Sequence, residues 1–245
     1  NSVINAKEEI DRNTLELPEE QEMLLDRIAE VNPNTVLVLF TNYPYTLQKA
    51  MEKLPAIIMS ATGSQDMGSA MAEAVLGIYA PAGRLNMTWY ESIDQLPDID
   101  DYDIIKGKRT YRYFDGKVLY PFGYGLSYTN FQYSDITLSA PTMGQDGSVT
   151  AMVTVTNTGK YDGAEVVQLY IRDLVGSITR PVKELKGFDK IFLKAGESKT
   201  VSFKITPELL RFYDYELNYV AEPGDFDIMI GGNSQSVKTT HLSLK

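Results

Sequence analysis

The hydrophobic period of this chain changes once, and the change falls in an aromatic, glycine-rich stretch from Arg109 to Phe131. The stretch reads Arg-Thr-Tyr-Arg-Tyr-Phe, then Asp115-Gly116, then Leu119-Tyr-Pro-Phe-Gly-Tyr-Gly-Leu-Ser-Tyr-Thr-Asn-Phe131. Before it, helical patterns alternate with short continuous apolar runs. After it, apolar residues recur at every second position. Periods of 3.6 and 2 belong to different kinds of layer, so the stretch marks a seam between two domains, 1–130 and 131–245.

In the first half, Leu17 to Asn32 reads as a helix, with Pro18 suited to its first position, Glu19 and Glu20 facing the positive end of the dipole, and Leu24, Ile28 and Val31 on one apolar stripe. Val36 to Phe40 is a continuous apolar run, as expected of a parallel strand covered on both faces, and Asn42-Tyr-Pro44 breaks it. A helix over Thr46 to Lys53 and a second buried strand within Pro55 to Ala61 follow. Thr62-Gly-Ser-Gln65 has capping-box spacing for a helix over Asp66 to Ile78, and a strand is expected at Asn86 to Trp89. This alternation predicts an α/β domain with a mostly parallel sheet, whose ligands would gather at the carboxyl ends of the strands.

From Phe131 the pattern is strand only. Val153 and Val155 alternate with threonines; Val167, Leu169 and Ile171 alternate with Gln168 and Tyr170; Val201, Phe203 and Ile205 alternate with polar residues, and Phe226, Ile228 and Ile230 continue the pattern. Turn signals at Asn157-Thr-Gly159, Lys194-Ala-Gly196 and Glu222-Pro-Gly224 separate the runs. About seven strands of this kind predict an immunoglobulin-like or fibronectin type III-like β-sandwich. The fold class is thus α/β followed by all-β.

Composition narrows the chemistry. With 43% hydrophobic residues among 245, the chain can bury a core in each domain. No apolar run approaches the roughly 20 residues that span a bilayer, and a net charge of −10 disfavours nucleic acid and anionic lipid as partners. The absence of cysteine removes thiol nucleophiles and zinc–thiolate sites, and a single histidine, His241, excludes a Ser-His-Asp triad or a two-histidine metal site. Asp98, Asp100, Asp101 and Asp103 lack the glycine and the distal acid of a calcium loop, and Gly123-Tyr-Gly125 lacks the third glycine of a dinucleotide fingerprint. No metal or cofactor is expected. The chain starts with Asn rather than Met, so a processed or excised fragment is expected, and the compartment is undetermined.

Six segments taken in order carry a resemblance: Glu8-Glu9-Ile10-Asp11-Arg12, Leu15-x-Leu-Pro18-x-x-Gln21, Asn32-Pro33, Pro81-Ala-Gly-Arg-Leu85, Arg109-Thr-Tyr-Arg-Tyr113 and Tyr120-Pro-Phe-Gly-Tyr-Gly-Leu-Ser-Tyr128. Together they resemble the C-terminal part of glycoside hydrolase family 3, over nearly the whole chain. The resemblance implies a retaining β-glycosidase acting on β-glucosides, β-xylosides or related oligosaccharides. Its nucleophilic aspartate would lie in an N-terminal (β/α)8 barrel outside this chain, and its acid/base would be a glutamate of the α/β domain.

Glu8 is the position the resemblance assigns to that acid/base, with Glu9 as runner-up, because the family's glutamate precedes an Asp-Arg pair at this spacing; Asp11 and Arg12 supply the pair and would hold the loop. Two departures accompany it: Glu9 stands where the family has glycine, and Thr62-Gly-Ser-Gln-Asp66 replaces a Pro-Gly-Gln-Glu-like loop. The barrel and the first strands of the α/β domain precede this region in the family, so the chain alone is expected to be inactive. A homo-oligomer is compatible with the reading. The alternative is a non-catalytic carbohydrate-binding or adaptor module that holds sugar on Tyr111, Tyr113 and Tyr124, or uses those rings only for packing.

Overall fold

A computed structural model describes residues 12–245. The α/β part is built on two parallel strands, β1 (Val36–Phe40) and β2 (Ala56–Ser60), paired in register from Val36↔Ala56 to Phe40↔Ser60. Helix α1 (Glu19–Val31) precedes them, α2 (Gln48–Lys53) connects them and α3 (Met67–Val75) follows. Pro18 lies one residue outside α1, and its carbonyl accepts the N–H groups of Gln21 and Glu22 at 2.9 and 3.0 Å. Three glutamates, Glu19, Glu20 and Glu22, occupy the first turn, where the dipole favours them.

The apolar stripe expected on α1 faces outward. Leu24 and Val31 are 61% and 83% exposed, while Leu25 and Ala29, one position further round, pack against the small core of Leu39, Tyr45, Leu47, Ala50, Leu54 and Trp89. Periodicity identified the helix but not which of two adjoining apolar stripes meets the sheet. The capping box expected at Thr62 to Gln65 is not formed: α3 starts at Met67 with no side-chain cap. Thr62 is used elsewhere, as described below. A capping box does form at Ser92 and Gln95, on a short 3-10 turn.

No strand forms at Asn86 to Trp89. Instead the seam runs antiparallel beside it: Gly123 donates to Leu85 O at 2.8 Å, Leu85 to Tyr124 O at 2.8 Å, and Trp89 to Tyr120 O at 2.9 Å. The last element before the sandwich, α4 (Thr110–Tyr113), is one turn within the seam.

The sandwich begins with the short strands β3 (Phe131–Tyr133), β4 (Thr137–Leu138) and β5 (Thr142–Met143). The long strands β6 (Val149–Asn157), β7 (Gly163–Asp173), β8 (Glu184–Leu193) and β9 (Ser198–Ile205) follow. After α5 (Pro207–Leu210) come a hairpin of β10 (Phe212–Tyr213) and β11 (Tyr219–Val220), then β12 (Gly224–Gly231) and β13 (Val237–Leu244). One sheet has the order β5-β13-β12-β7-β8; the other has β3-β6-β4, with β9 also paired to β6.

The period-two residues meet between these sheets. Val149, Ala151, Val153 and Val155 of β6 are at most 1% exposed and face Val167, Leu169 and Ile171 of β7 and Phe226, Ile228 and Ile230 of β12 across one core. Each such Val or Ile contributes about 1.5–3 kcal/mol of burial.

Candidate functional site

At the carboxyl ends of β1 and β2, the loop Thr41 to Tyr45 receives the first described residue, Arg12. Its guanidinium lies 4.3 Å from the Tyr43 ring centre and 4.6 Å from that of Tyr45, and Nη2 donates to the Pro44 carbonyl at 2.9 Å. The two rings are held at 55° with centres 5.9 Å apart, so they clasp the planar cation between them. Burial raises the Tyr45 phenol above its ordinary pKa, an effect opposed by the Arg12 charge. Arg12 Nη1 is buried and has no hydrogen-bond partner among the described residues.

The neighbouring loops are tied together by Asn42 and Thr62. The Thr62 N–H donates to Asn42 Oδ1 at 2.9 Å, and Asn42 Nδ2 donates to the Thr62 hydroxyl. This accounts for the missing cap on α3, because the threonine hydroxyl bridges the two strand ends instead. The arrangement is a rigid, polar rim at the end of the parallel sheet where ligands of such sheets collect. Glu8, Glu9 and Asp11 lie outside the described residues; of the four residues singled out in the sequence, Arg12 is the one placed here.

The seam between the two halves is dense in rings and charges. Tyr111 stacks on Phe122 at 4.2 Å and 17°, both meet Tyr170 of β7 edge-on, and the Tyr111 hydroxyl accepts the Leu185 N–H at 3.1 Å. Tyr124 stacks on Tyr120 at 5.0 Å. Tyr111 and Tyr124, considered above as a sugar platform, thus each stack on one neighbouring ring, and Tyr113 lies beside Arg112. Arg112 Nη2 bonds Glu184 Oε1 at 2.5 Å, and Arg180 joins Glu184 at 3.2 Å from the other side.

Gln168 sits at the centre of the seam, 3% exposed. Its Nε2 donates to the carbonyls of Gly123 and Gly232 at 3.1 and 2.6 Å, and its Oε1 accepts the Tyr170 hydroxyl. Gly123 has φ +80°, and a Cβ there would collide with Gln168 Oε1; a Cβ on Gly125 would collide with the Gly83 carbonyl. Gly123 therefore admits the Gln168 side chain of the sandwich, and Gly125 admits the Gly83 backbone of its own half.

Deeper in the seam, Arg84 of the Pro81 to Leu85 segment pairs with Glu165 of β7, whose second oxygen accepts the Tyr133 hydroxyl at 2.7 Å. Burial pushes the Glu165 carboxyl above its ordinary pKa, a push opposed by Arg84 and Tyr133. Sequence reasoning had not singled out Glu165 or Gln168. The available signal was a lone acid in the small, apolar run Gly163-Ala-Glu-Val-Val167.

The acidic loop from Asp98 to Asp103 is satisfied by backbone: Asp98 accepts from Asp100, Asp101 from Asp103, and Asp103 from Ile105 and Lys106, at 2.9–3.1 Å. Arg109 donates to the Asp98 and Asp101 carbonyls at 2.7 and 3.0 Å. No group of three His, Cys, Asp or Glu side chains suited to a metal occurs among the described residues.

Residues 1–128 match the family profile of the glycosyl hydrolase family 3 C-terminal domain, and residues 165–234 match that of a fibronectin type III-like domain. The chain is 44% identical over 249 residues to the periplasmic beta-glucosidase of Salmonella typhimurium, an alignment covering 98% of this chain and 32% of that protein. It is 40% identical to a putative beta-xylosidase of Formosa agariphila, covering 96% of this chain and 31% of the relative. The crystal structure of a beta-glucosidase from Listeria innocua in complex with gluconolactone superposes with a TM-score of 0.83 at 32% identity, over 94% of this chain and 33% of the other. The chain thus spans about a third of the length of these proteins.

Proposed function

This chain belongs to glycosyl hydrolase family 3 through that family's C-terminal domain, and from that premise we propose that it forms the C-terminal part of a retaining exo-β-glycosidase removing terminal β-linked glucose or xylose. The observation that carries the reading furthest is the anchoring of Arg12 between Tyr43 and Tyr45. It fixes Arg12, three residues after Glu9, at the carboxyl ends of β1 and β2, which supports presentation of an acid/base from that rim. The buried Nη1 of Arg12, without a hydrogen-bond partner among the described residues, calls for an acceptor, and the Asp11–Arg12 pairing implied by the family resemblance would supply one.

Glu8 acts as the acid/base, with Glu9 as the runner-up. An aspartate of an N-terminal barrel attacks the anomeric carbon while Glu8 gives its proton to the glycosidic oxygen, so that the C–O bond breaks and the alcohol leaves. The Glu8 carboxylate then takes a proton from water, whose oxygen attacks the same carbon and releases the aspartate. Two inversions give net retention, which requires the two carboxyl groups about 5–5.5 Å apart. The outward-facing apolar residues Leu24, Val31, Val36 and Val38 are where the rest of such an enzyme would pack. The same reading divides the chain into 1–130, with the seam as its linker, and 131–245, and is supported by β3 beginning at Phe131.

Kinetics of Glu8→Gln in the full-length enzyme test the assignment. A large loss of kcat is expected on glycosides with poor leaving groups, partly recovered with an activated aryl glycoside plus azide. Unchanged activity on both substrates would remove Glu8, and the same measurement on Glu9→Gln would then decide for the runner-up.

A further inference from the structure

Where the seam covers the outer face of the five-stranded sheet, it leaves an open cleft of ≈ 370 Å³. Tyr111, Phe114 and Pro121 of the seam line it together with Arg172 of β7, Asp227 of β12 and Lys183, just before β8. Clefts of this size at domain junctions suit small ligands. The ring wall is fixed in place, since Tyr111 is stacked on Phe122 and bonded to the Leu185 N–H.

The charges in the cleft are unevenly matched. Asp115 is engaged by Lys108 at 3.0 Å. Asp227 Oδ1 lies 2.7 Å from His241 Nδ1, a contact that is an ion pair when the imidazole is protonated. Lys183 Nζ donates to the Ser234 carbonyl at 2.6 Å, and Arg172, which stands opposite Asp227 in the β7–β12 register, makes no side-chain hydrogen bond or ion pair among the described residues. Burial, and then the Arg172 charge, lower the Lys183 pKa, which places the two cations close enough to repel.

A solvated arginine alone would be unremarkable on a protein surface. Here it shares a cleft with a half-buried lysine, in a chain of net charge −10. Neutral hydrogen-bonding groups of Gln235 and Thr239 line the same space, and Thr88, also in the lining, has a buried hydroxyl without a partner among the described residues.

We propose that this cleft binds a carboxylate-bearing sugar, a uronic acid or an oligosaccharide ending in one, with Arg172 and Lys183 taking the carboxylate and the Tyr111–Phe114 wall taking the apolar side of the pyranose. A bare carboxylate or phosphate would leave the ring wall and most of the volume unused. A neutral sugar would offer Arg172 and Lys183 no carboxylate. Binding requires no hydrolysis, so it stands or falls independently of Glu8.

The test is titration of the protein with methyl β-glucuronide, methyl β-glucoside and acetate, followed by calorimetry and saturation-transfer NMR. The glucuronide is expected to bind at least tenfold more tightly than either of the others. Arg172→Gln and Lys183→Gln should each weaken it tenfold or more without changing Tm, and Arg172→Lys should retain part of it. Equal binding of acetate would overturn the sugar, and equal binding of the glucoside would overturn the charge selection. Glucuronide binding indifferent to both Gln variants would overturn the location, and no binding at all would overturn the site.

Discussion

Arg84 Nη2 lies 2.5 Å from Glu165 Oε2 across the seam, with the two side chains only 9% and 5% exposed. One partner belongs to the α/β half and the other to the sandwich, so this bridge couples the two domains where water is excluded. A buried pair of this kind adds little over a well-packed apolar pair, but breaking it leaves a charge stranded.

Arg84→Met is therefore expected to destabilise the protein by about 3–5 kcal/mol near neutral pH, because Glu165 keeps its burial and loses its cation. Urea unfolding checks this. A loss below about 1 kcal/mol, the size of a surface pair, would show that the bridge is effectively solvated.

Stability should also depend on pH through Glu165. Its folded pKa is raised above the ordinary 4.5, so the folded chain holds this proton more tightly than the unfolded chain. The group's contribution is then fully present below that ordinary value and is lost as pH rises through the folded pKa. Glu165→Gln does not titrate, so the Tm difference between variant and wild type should move in favour of the variant as pH rises. A difference constant between roughly pH 4 and pH 7 would contradict the raised pKa.

Gly123→Ala tests the close approach at the seam. The backbone is left-handed there, at φ +80°, and the added methyl would meet Gln168 Oε1 and lie 2.9 Å from the Tyr170 hydroxyl. Left-handed backbone alone costs a non-glycine residue roughly 1–2 kcal/mol, and displacing Gln168 would expose unpaired carbonyls of Gly123 and Gly232. A total of about 3 kcal/mol or more is expected in chemical unfolding. A neutral substitution would show that the seam relaxes freely.

Arg12→Lys separates position from charge at the rim. Lysine keeps the cation but cannot lie flat between Tyr43 and Tyr45. In the full-length enzyme, kcat on poor leaving groups is expected to fall about tenfold, with a smaller change in KM, as follows from the proposed role of Arg12 in positioning the acid/base rather than binding the sugar. Steady-state kinetics with alkyl and activated aryl glycosides measure both; an effect confined to KM would place Arg12 against substrate.

The fold was largely legible because local period and turn chemistry act within a few residues. The runs Val36 to Phe40 and Ala56 to Ser60 became parallel strands, and the alternation in β6, β7, β9 and β12 became the inner face of the sandwich. The same rules failed at Thr62 and at Asn86 to Trp89. There the choice of partner lay in another segment: Asn42 claimed the threonine, and the seam supplied only a single bridge where a strand was expected.

For the candidate site, the sequence by itself determined the helix–strand alternation, the change of period at the seam and the family-like segments that contain Arg12 and Arg84. Only the tertiary structure decided what those residues touch. Alternation alone would leave Gln168 and Tyr170 facing water on the outer side of β7, yet they are 3% and 0% exposed because the aromatic stretch folds down over them. The stretch that marks the seam in the sequence is therefore a second cover for the sheet. A period records which side of a strand a residue occupies, whereas burial depends on what chain, distant in sequence, comes to lie on that side.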